Sequence, residues 1–398
     1  MAMIAALTLW GCAPGAPALP DYRGDPARRG SVAKVEAIGA YSPLQMRLLL
    51  WMAKLQAPVV TGVRLYRVSY WSVTDGHPVL VSGLLGVPGR NPVRGAVLWM
   101  HATHVSREDS MSNTKGAESL PVSYVFAGGD YLLLAPDLVG LGVSRAPQAY
   151  LVNASTIDVS RDFVHAAQTV THDLGVSWNP DFYLTGFSQG GHSAAILQED
   201  FEAHPDPAVR LCAVAPIGGV YDLAGAAFPY ALQGRSDTSY IDLANMALSY
   251  ATYYHQPLES VLTQRNAAVA EVVLDGNHDI AALKQLPSNP RALFNDRFMA
   301  NYQHGGTDWL IEAMRANSAV ARASRTPLRL YYGDKDLDAP PADAVAFAAS
   351  LRAAGADAQA ISVGPYDHGG SAFQAAPKVR SWFDLLSAAE RQRPRSGC

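Results

Sequence analysis

The run Gly186-Phe187-Ser188-Gln189-Gly190-Gly191 constrains this chain more than any other stretch. The apolar segment before it, Asp181 to Phe187, reads as a buried strand, and Ser193 to Phe201 after it reads as a helix. Glycine stands two residues before and two residues after Ser188. A strand-to-helix turn this tight forces its central residue into a strained backbone conformation, and side chains at the flanking positions would clash. The strain lifts the hydroxyl clear of the sheet, and the N-terminus of the next helix sets a partial positive charge beside it. The pattern is the G-x-S-x-G turn that presents a serine for attack. Glycine-rich turns of this kind also bind phosphate or merely reverse the chain, so the weight of the motif depends on partners elsewhere.

Two partners follow downstream. Leu328 to Tyr332 has strand character and ends in Gly333-Asp334-Lys335-Asp336-Leu337-Asp338-Ala339-Pro340. Ala358 to Val363 is the next strand candidate and ends in Gly364-Pro365-Tyr366-Asp367-His368-Gly369-Gly370. An acidic loop and a histidine loop thus each follow a strand, at the sheet edge where open α/β sheets bind ligands. Serine, acid and histidine come in the order of the α/β-hydrolase arrangement. On these residues the chain resembles α/β-hydrolase-fold serine esterases. The loop at 333–340 resembles the family's Gly-x-x-Asp-x-x-Val-Pro, with Ala339 in place of valine, which implies Asp336 as the catalytic acid with Asp334 and Asp338 as competitors. His368 resembles the family's histidine after the last strand.

The resemblance implies roles. His368 would take the proton of Ser188 as the acyl bond forms and return it to the leaving alcohol. Asp336 would fix the imidazole tautomer and stabilise the imidazolium. The oxyanion requires backbone donors: the amide of Gln189, and a second from the loop after the strand Gly95 to Met100. That loop reads His101-Ala102-Thr103-His104, where the family usually has His-Gly, and position assigns the second donor to Thr103. The pair His101 and His104 is not expected to hold a metal, because no nearby acid or cysteine completes a ligand set. Asp137, in a stretch resembling the family's Pro-Asp-x-x-Gly-x-Gly-x-Ser loop, is expected to be structural.

The expected fold class is α/β: a mostly parallel central sheet with helices on both faces and an inserted helical cap. Arg64 to Val73 and Pro78 to Val87 read as strands of a hairpin around Asp75-Gly76. Ser42-Pro43-Leu44-Gln45 reads as a capped helix start. From Gly95 on, strands alternate with helices, as a parallel sheet requires. The expected organisation is an export segment and tether at 1–30, a core at 31–219 and 327–398, and a cap at 220–326. The cap is rich in aromatic residues, among them Phe228, Tyr230, Tyr240, Tyr250, Phe294, Phe298 and Tyr302. Most should form the cap's own core, with a few lining an acyl or alcohol pocket.

Hydrophobic residues make up 49% and charged residues 17%, enough for a large core. A formal charge of −4 argues against nucleic-acid binding through a basic face. The sequence contains no apolar run long enough to span a membrane. Leu9-Trp10-Gly11-Cys12 resembles a bacterial lipoprotein box, which implies export to the cell envelope and a membrane tether through lipidated Cys12. Cys212 reads as a small core residue, and a bridge to Cys398 is not legible from sequence.

Taken together, residues 60 to 385 are similar to bacterial carboxylesterases related to secreted lipases. The implied activity is hydrolysis of short- to medium-chain acyl esters through an acyl-enzyme, on a small-molecule ester substrate and without metal or cofactor. The same three residues also serve lipases, peptidases and acyltransferases, and the fold has lyase and haloperoxidase members. A ligand-binding surface lipoprotein with a disused triad is the alternative of another class, and a binding protein has no need of all three groups.

Overall fold

The structure, a computed structural model, describes residues 19–391, with side chains through residue 388. Cys12, Cys398 and most of the expected export segment lie outside the described residues. Among the described residues the strands are β1 (Val32–Tyr41), β2 (Val63–Thr74), β3 (His77–Pro88), β4 (Ala96–Met100), β5 (Leu132–Pro136), β6 (Asp181–Phe187), β7 (Arg210–Ile217), β8 (Leu328–Tyr332) and β9 (Ala358–Ser362). They form one sheet in the order β1-β2-β3-β5-β4-β6-β7-β8-β9. The first three strands run antiparallel to their neighbours. From β5 to β9 every neighbouring pair is parallel. β4 and β5 are buried along their whole length, as central parallel strands covered on both faces must be.

The helices are α1 (Pro43–Met52), α2 (Ser119–Phe126), α3 (Asn153–Asp173), α4 (Gln189–Ala203), α5 (Phe228–Ala231), α6 (Ser239–Tyr253), α7 (Gln264–Val273), α8 (Asp296–Gln303), α9 (Trp309–Ala316), α10 (Pro341–Ala353) and α11 (His368–Arg391). Strand alternation divides the core between the two faces of the sheet. Leu98, Leu134 and Leu184 pack with Val159 and Phe163 of α3, Leu197 of α4 and Ala348 of α10. Val97, Trp99 and Leu133 pack on the other face with Met46 of α1, Phe126 of α2 and Phe383 of α11.

α1 begins as the sequence suggests. The Ser42 side chain accepts from the Gln45 amide, and the Gln45 side chain accepts from the Ser42 amide. β1 is the strand the sequence reading lacks. Only Val32 of its residues is buried, so the strand carries almost no hydrophobic alternation to read.

Between β7 and β8 the chain leaves the sheet and forms α5 to α9. The aromatic residues of this insertion chiefly serve its own core. Phe228 meets Phe294 at 5.5 Å and Tyr302 at 5.1 Å, and Phe294 stacks on Phe298 at 5.0 Å. Tyr250 is fully buried and donates its hydroxyl to the Leu151 carbonyl at 3.0 Å, which ties α6 to the segment before α3. Cys212 is buried in the sheet and disulfide-bonded, so it is more than a small core residue.

Candidate active site

The turn from β6 into α4 is made by steric exclusion. A Cβ on Gly186 would lie 2.5 Å from the Met100 carbonyl oxygen, and one on Gly190 would lie 1.9 Å from the same atom. One on Gly191 would lie 2.7 Å from the Ile217 carbonyl oxygen. The glycines therefore let α4 start against the ends of β4 and β7. Between them Ser188 sits at φ 58 and ψ −118, a strained conformation for a side-chain-bearing residue. Its amide is held by the Ile217 carbonyl at 2.9 Å.

Ser188 Oγ lies 2.8 Å from Nε2 of His368, the first residue of α11. His368 Nδ1 lies 2.7 Å from Asp336 Oδ2 in the loop after β8. Asp336 is 2% exposed, and its other oxygen accepts from the amides of Asp338 and Ala339 at 2.9 and 2.8 Å. The carboxylate is thus fixed by its own loop and aimed at the imidazole. Burial depresses the basicity of His368, but the hydrogen bond and charge of Asp336 outweigh it and raise the pKa above the usual 6.5. The two competing aspartates are engaged elsewhere. Asp334 accepts from the Ser362 hydroxyl at 2.6 Å, and Asp338 accepts from the hydroxyls of Ser236 and Thr238. Gly218, at φ +53, lets the chain pass close to the imidazole: a Cβ there would lie 3.3 Å from His368 Cε1.

The loop after β4 brings Thr103 to the same edge, because β4 and β6 are parallel neighbours with Met100 opposite Gly186. Among the described residues no protein group takes up the amides of Thr103 or Gln189. The Gln189 amide also opens α4, where the helix dipole favours negative charge. Glu118 holds the loop from beneath. Its carboxylate accepts from Trp99 Nε1 at 2.5 Å and from the Ala102 amide at 3.2 Å, and lies 3.4 Å from His104 Nε2. Burial raises its pKa, but bonds and charge from His104, with His101 and Trp99, win and leave it lowered. Nothing in local sequence links Glu118 to the loop it supports.

His101 and His104 stack at 4.7 Å, and folding brings beside His104 an acid, Glu118, that the local sequence does not offer. His101 Nε2 accepts the Leu138 amide at 3.3 Å, and burial, with the neighbouring His104, lowers its pKa to about 4. Asp336, Asp338 and His368 do bring donor atoms within 4.8 Å of one another. Asp336 is engaged with His368 and two loop amides, and Asp338 with two hydroxyls. Asp137 is fully buried, taking the Ser82 hydroxyl at 2.6 Å and the Ser112 amide at 3.1 Å, in a structural position. His192 is likewise a buried tie, with Nδ1 on the Val220 carbonyl at 2.8 Å.

The insertion presents polar groups to this edge. Tyr230 donates to the Asp336 carbonyl at 2.8 Å. Asp242, on α6, accepts from the Tyr150 hydroxyl at 3.3 Å, and that hydroxyl lies 3.1 Å from Thr103 Oγ1. Burial, reinforced by the charge of Asp338, raises the Asp242 pKa to about 7. The sequence reading names neither Tyr150 nor Asp242. A charged residue between Ile241 and Leu243 in an apolar helix was the available signal.

No protein-family model and no curated protein matches the sequence. Solved structures do match the fold. A provisionally assigned hydrolase from Legionella pneumophila superposes with a TM-score of 0.81 at 23% identity, over 91% of this chain and 98% of that one. The rice cell wall degrading esterase LipA from Xanthomonas oryzae gives 0.77 at 23% identity, over 92% and 98%. Candida antarctica lipase A in its closed state gives 0.63 at 12% identity, over 90% and 83%. The chain therefore has the α/β-hydrolase fold expected from its sequence.

Proposed function

We propose that this protein is a serine carboxylesterase that hydrolyses short- to medium-chain acyl esters through an acyl-enzyme. The observation that carries the reading is the unbroken relay from Asp336 through His368 to Ser188, at 2.7 and 2.8 Å, beside amides at Gln189 and Thr103 that no described protein group takes up. A serine hydroxyl is a weak nucleophile until a base removes its proton as it attacks. His368 Nε2 is placed to do so, with its other nitrogen held by Asp336 in the tautomer that leaves Nε2 free to accept. The negative charge that develops on the carbonyl oxygen would fall between the Gln189 and Thr103 amides. One such donor typically contributes ~3 kcal/mol to the transition state. Collapse expels the alcohol with the proton returned by His368, and water repeats the sequence on the acyl-serine.

The likeness to esterase and lipase structures agrees with this chemistry. The strained backbone at Ser188 favours it over the disused-site alternative, since such strain persists where it serves a function. Export is part of the same reading: a disulfide at Cys212 suits an oxidising compartment. Mass spectrometry of the mature N-terminus would reveal lipid on Cys12, or its absence.

The experiment is hydrolysis of p-nitrophenyl butyrate by the protein and by Ser188→Ala, with a fluorophosphonate label mapped by mass spectrometry. Turnover abolished in the variant, with the label on Ser188, is the expected result. An unlabelled Ser188 with no turnover would sink the esterase assignment and bring the binding-protein alternative forward.

A further inference from the structure

Three carboxylates act on the imidazole of His368. Asp242 comes from α6, Asp338 from the loop after β8, and Asp336 lies below them. Facing Asp242 from the other elements are the Tyr150 hydroxyl, the Thr103 hydroxyl and His368 at the head of α11. The interaction with His368 is mutual, for Asp242 helps to raise the imidazole pKa. His368 is the only cation that acts appreciably on Asp242 among the described residues. Arg235, on the segment before α6, lies over the Tyr230 ring instead, at 5.9 Å. Asp338 spends its carboxylate on the neutral hydroxyls of Ser236 and Thr238.

Asp242 is also close to the chemistry. Through Tyr150 it reaches Thr103, the residue whose amide is assigned to the oxyanion. It is half-buried, and its charge acts on His368. A structural carboxylate at such depth would ordinarily have a paired cation or several backbone donors. Asp242 has hydroxyls, and burial holds its pKa near 7, so an incoming charge decides its state.

We propose that Asp242 is a specificity-determining residue that makes the site select esters carrying a fixed positive charge a few bonds from the scissile carbonyl, and reject esters carrying a carboxylate there. The substrate class is an ester of an amino alcohol or of an amino-substituted acid. This inference rests on the esterase reading of Ser188 and deepens it. A unit charge in a partly solvated site at this range alters binding by roughly tenfold. A neighbouring cation draws the proton off Asp242 and gains the attraction; a carboxylate keeps the proton on and forfeits it.

The test compares kcat/KM for matched pairs. On the alcohol side, butyrylcholine is set against its neutral carbon isostere, dimethylbutyl butyrate. On the acyl side, p-nitrophenyl trimethylammoniobutanoate is set against p-nitrophenyl dimethylhexanoate, with p-nitrophenyl hemiglutarate as the anion. The expected result is a preference of about tenfold for the cation in at least one pair, with the anion the poorest acyl substrate. That preference should grow as pH rises through the titration of Asp242 and collapse in Asp242→Asn, whose amide oxygen still accepts from Tyr150. The pH dependence in the unaltered protein decides the matter even if the variant does not fold. Turnover of the neutral isosteres with no charge preference, or with a preference that survives Asp242→Asn, would overturn the inference and leave the esterase reading standing. Failure of every ester, with Ser188 unlabelled by fluorophosphonate, would overturn both.

Discussion

Replacing Glu118 with alanine should cost turnover rather than substrate affinity. Its carboxylate binds Trp99 Nε1, the Ala102 amide and His104, the last two within the loop that carries Thr103. Hydrogen bonds to a charged group contribute ~1.5–3 kcal/mol each, and a buried donor left without a partner costs ~1–3 kcal/mol. Loss of the carboxylate should therefore destabilise the fold by about 3–5 kcal/mol. The part that reaches catalysis is smaller and more specific. A loop released from beneath lets the Thr103 amide drift from the oxyanion, and one lost donor lowers kcat by about 10²–10³-fold. KM for a small neutral ester should change little, because the ground-state carbonyl draws weakly on that donor.

Glu118→Gln separates this from simple damage. The glutamine oxygen can keep Trp99 and Ala102, and its amide can donate to His104 Nε2 if that imidazole carries its proton on Nδ1. Nδ1 has no hydrogen-bond partner among the described residues, so the switch breaks no existing bond and one buried ring nitrogen is unpaired in either tautomer. Turnover by Glu118→Gln should stay within about tenfold of the unaltered protein. The assay is kcat and KM on p-nitrophenyl butyrate, with fluorophosphonate titration to count competent sites and urea unfolding for stability. A purely structural role would reduce the number of titratable sites but not turnover per site. Glu118→Ala with undiminished turnover per titrated site would refute the positioning role.

Other perturbations have equally definite outcomes. In Asp336→Asn both oxygen positions face donors, His368 Nδ1–H on one side and two loop amides on the other, so the new amide must oppose one of them. Turnover should fall by about 10³–10⁴-fold. Because Asp336 raises the His368 pKa, kcat/KM should rise with pH through a value above 6.5 in the unaltered protein, and the residual activity of Asp336→Asn should rise at lower pH; an unmoved limb would mean another group titrates. Gly190→Ala would set a Cβ 1.9 Å from a backbone oxygen and should cost ~3 kcal/mol together with activity, whereas a Cβ on Gly369 meets nothing within 4 Å and Gly369→Ala should be close to neutral in urea unfolding. His192 is 1% exposed and burial lowers its pKa to about 4. The unfolded chain takes up that proton below ~6.5 and the folded chain resists until about 4, so stability is lost as pH falls through this window, by about 3 kcal/mol. The stability gap between His192→Gln and the unaltered protein should narrow by that amount from pH ~7 to ~4, and a constant gap would count against a neutral buried imidazole.

The elements around the relay were legible where apolar runs end abruptly in turn residues. β6 and β8 lie where the runs Asp181 to Phe187 and Leu328 to Tyr332 place them, because glycine follows each run or lies within its last turn. α4 starts earlier than its apolar pattern suggests, at Gln189 rather than Ser193. Gly190 and Gly191 read as helix breakers in isolation, yet they are helical because only glycine fits against Met100 and Ile217. The acidic loop shows a different limit. Asp334, Asp336 and Asp338 share the same local composition, and what distinguishes them is which one meets His368 across the sheet edge. Glu118 was not legible at all, since its partners come from a strand and a loop whose proximity exists only after folding.

The insertion between β7 and β8 shows how little composition says about which side chains approach a site. Its tyrosines and phenylalanines are expected chiefly in the insertion's own core, and composition cannot say which few reach a pocket. A segment of roughly a hundred residues hung on a sheet edge must first bury a core of its own, and small units have little apolar area to spare beyond that. Phe228, Phe294, Phe298 and Tyr302 are consumed in this way, packed on one another. The side chains that reach the relay and the acidic loop beside it are then those the insertion's core does not need: Tyr230 and Asp242 at the relay, Ser236 and Thr238 on Asp338. Hydroxyls and a carboxyl of the insertion thus approach the loop after β8 and His368. Selectivity at this site should accordingly depend more on the charge of the substrate than on the length of its acyl chain.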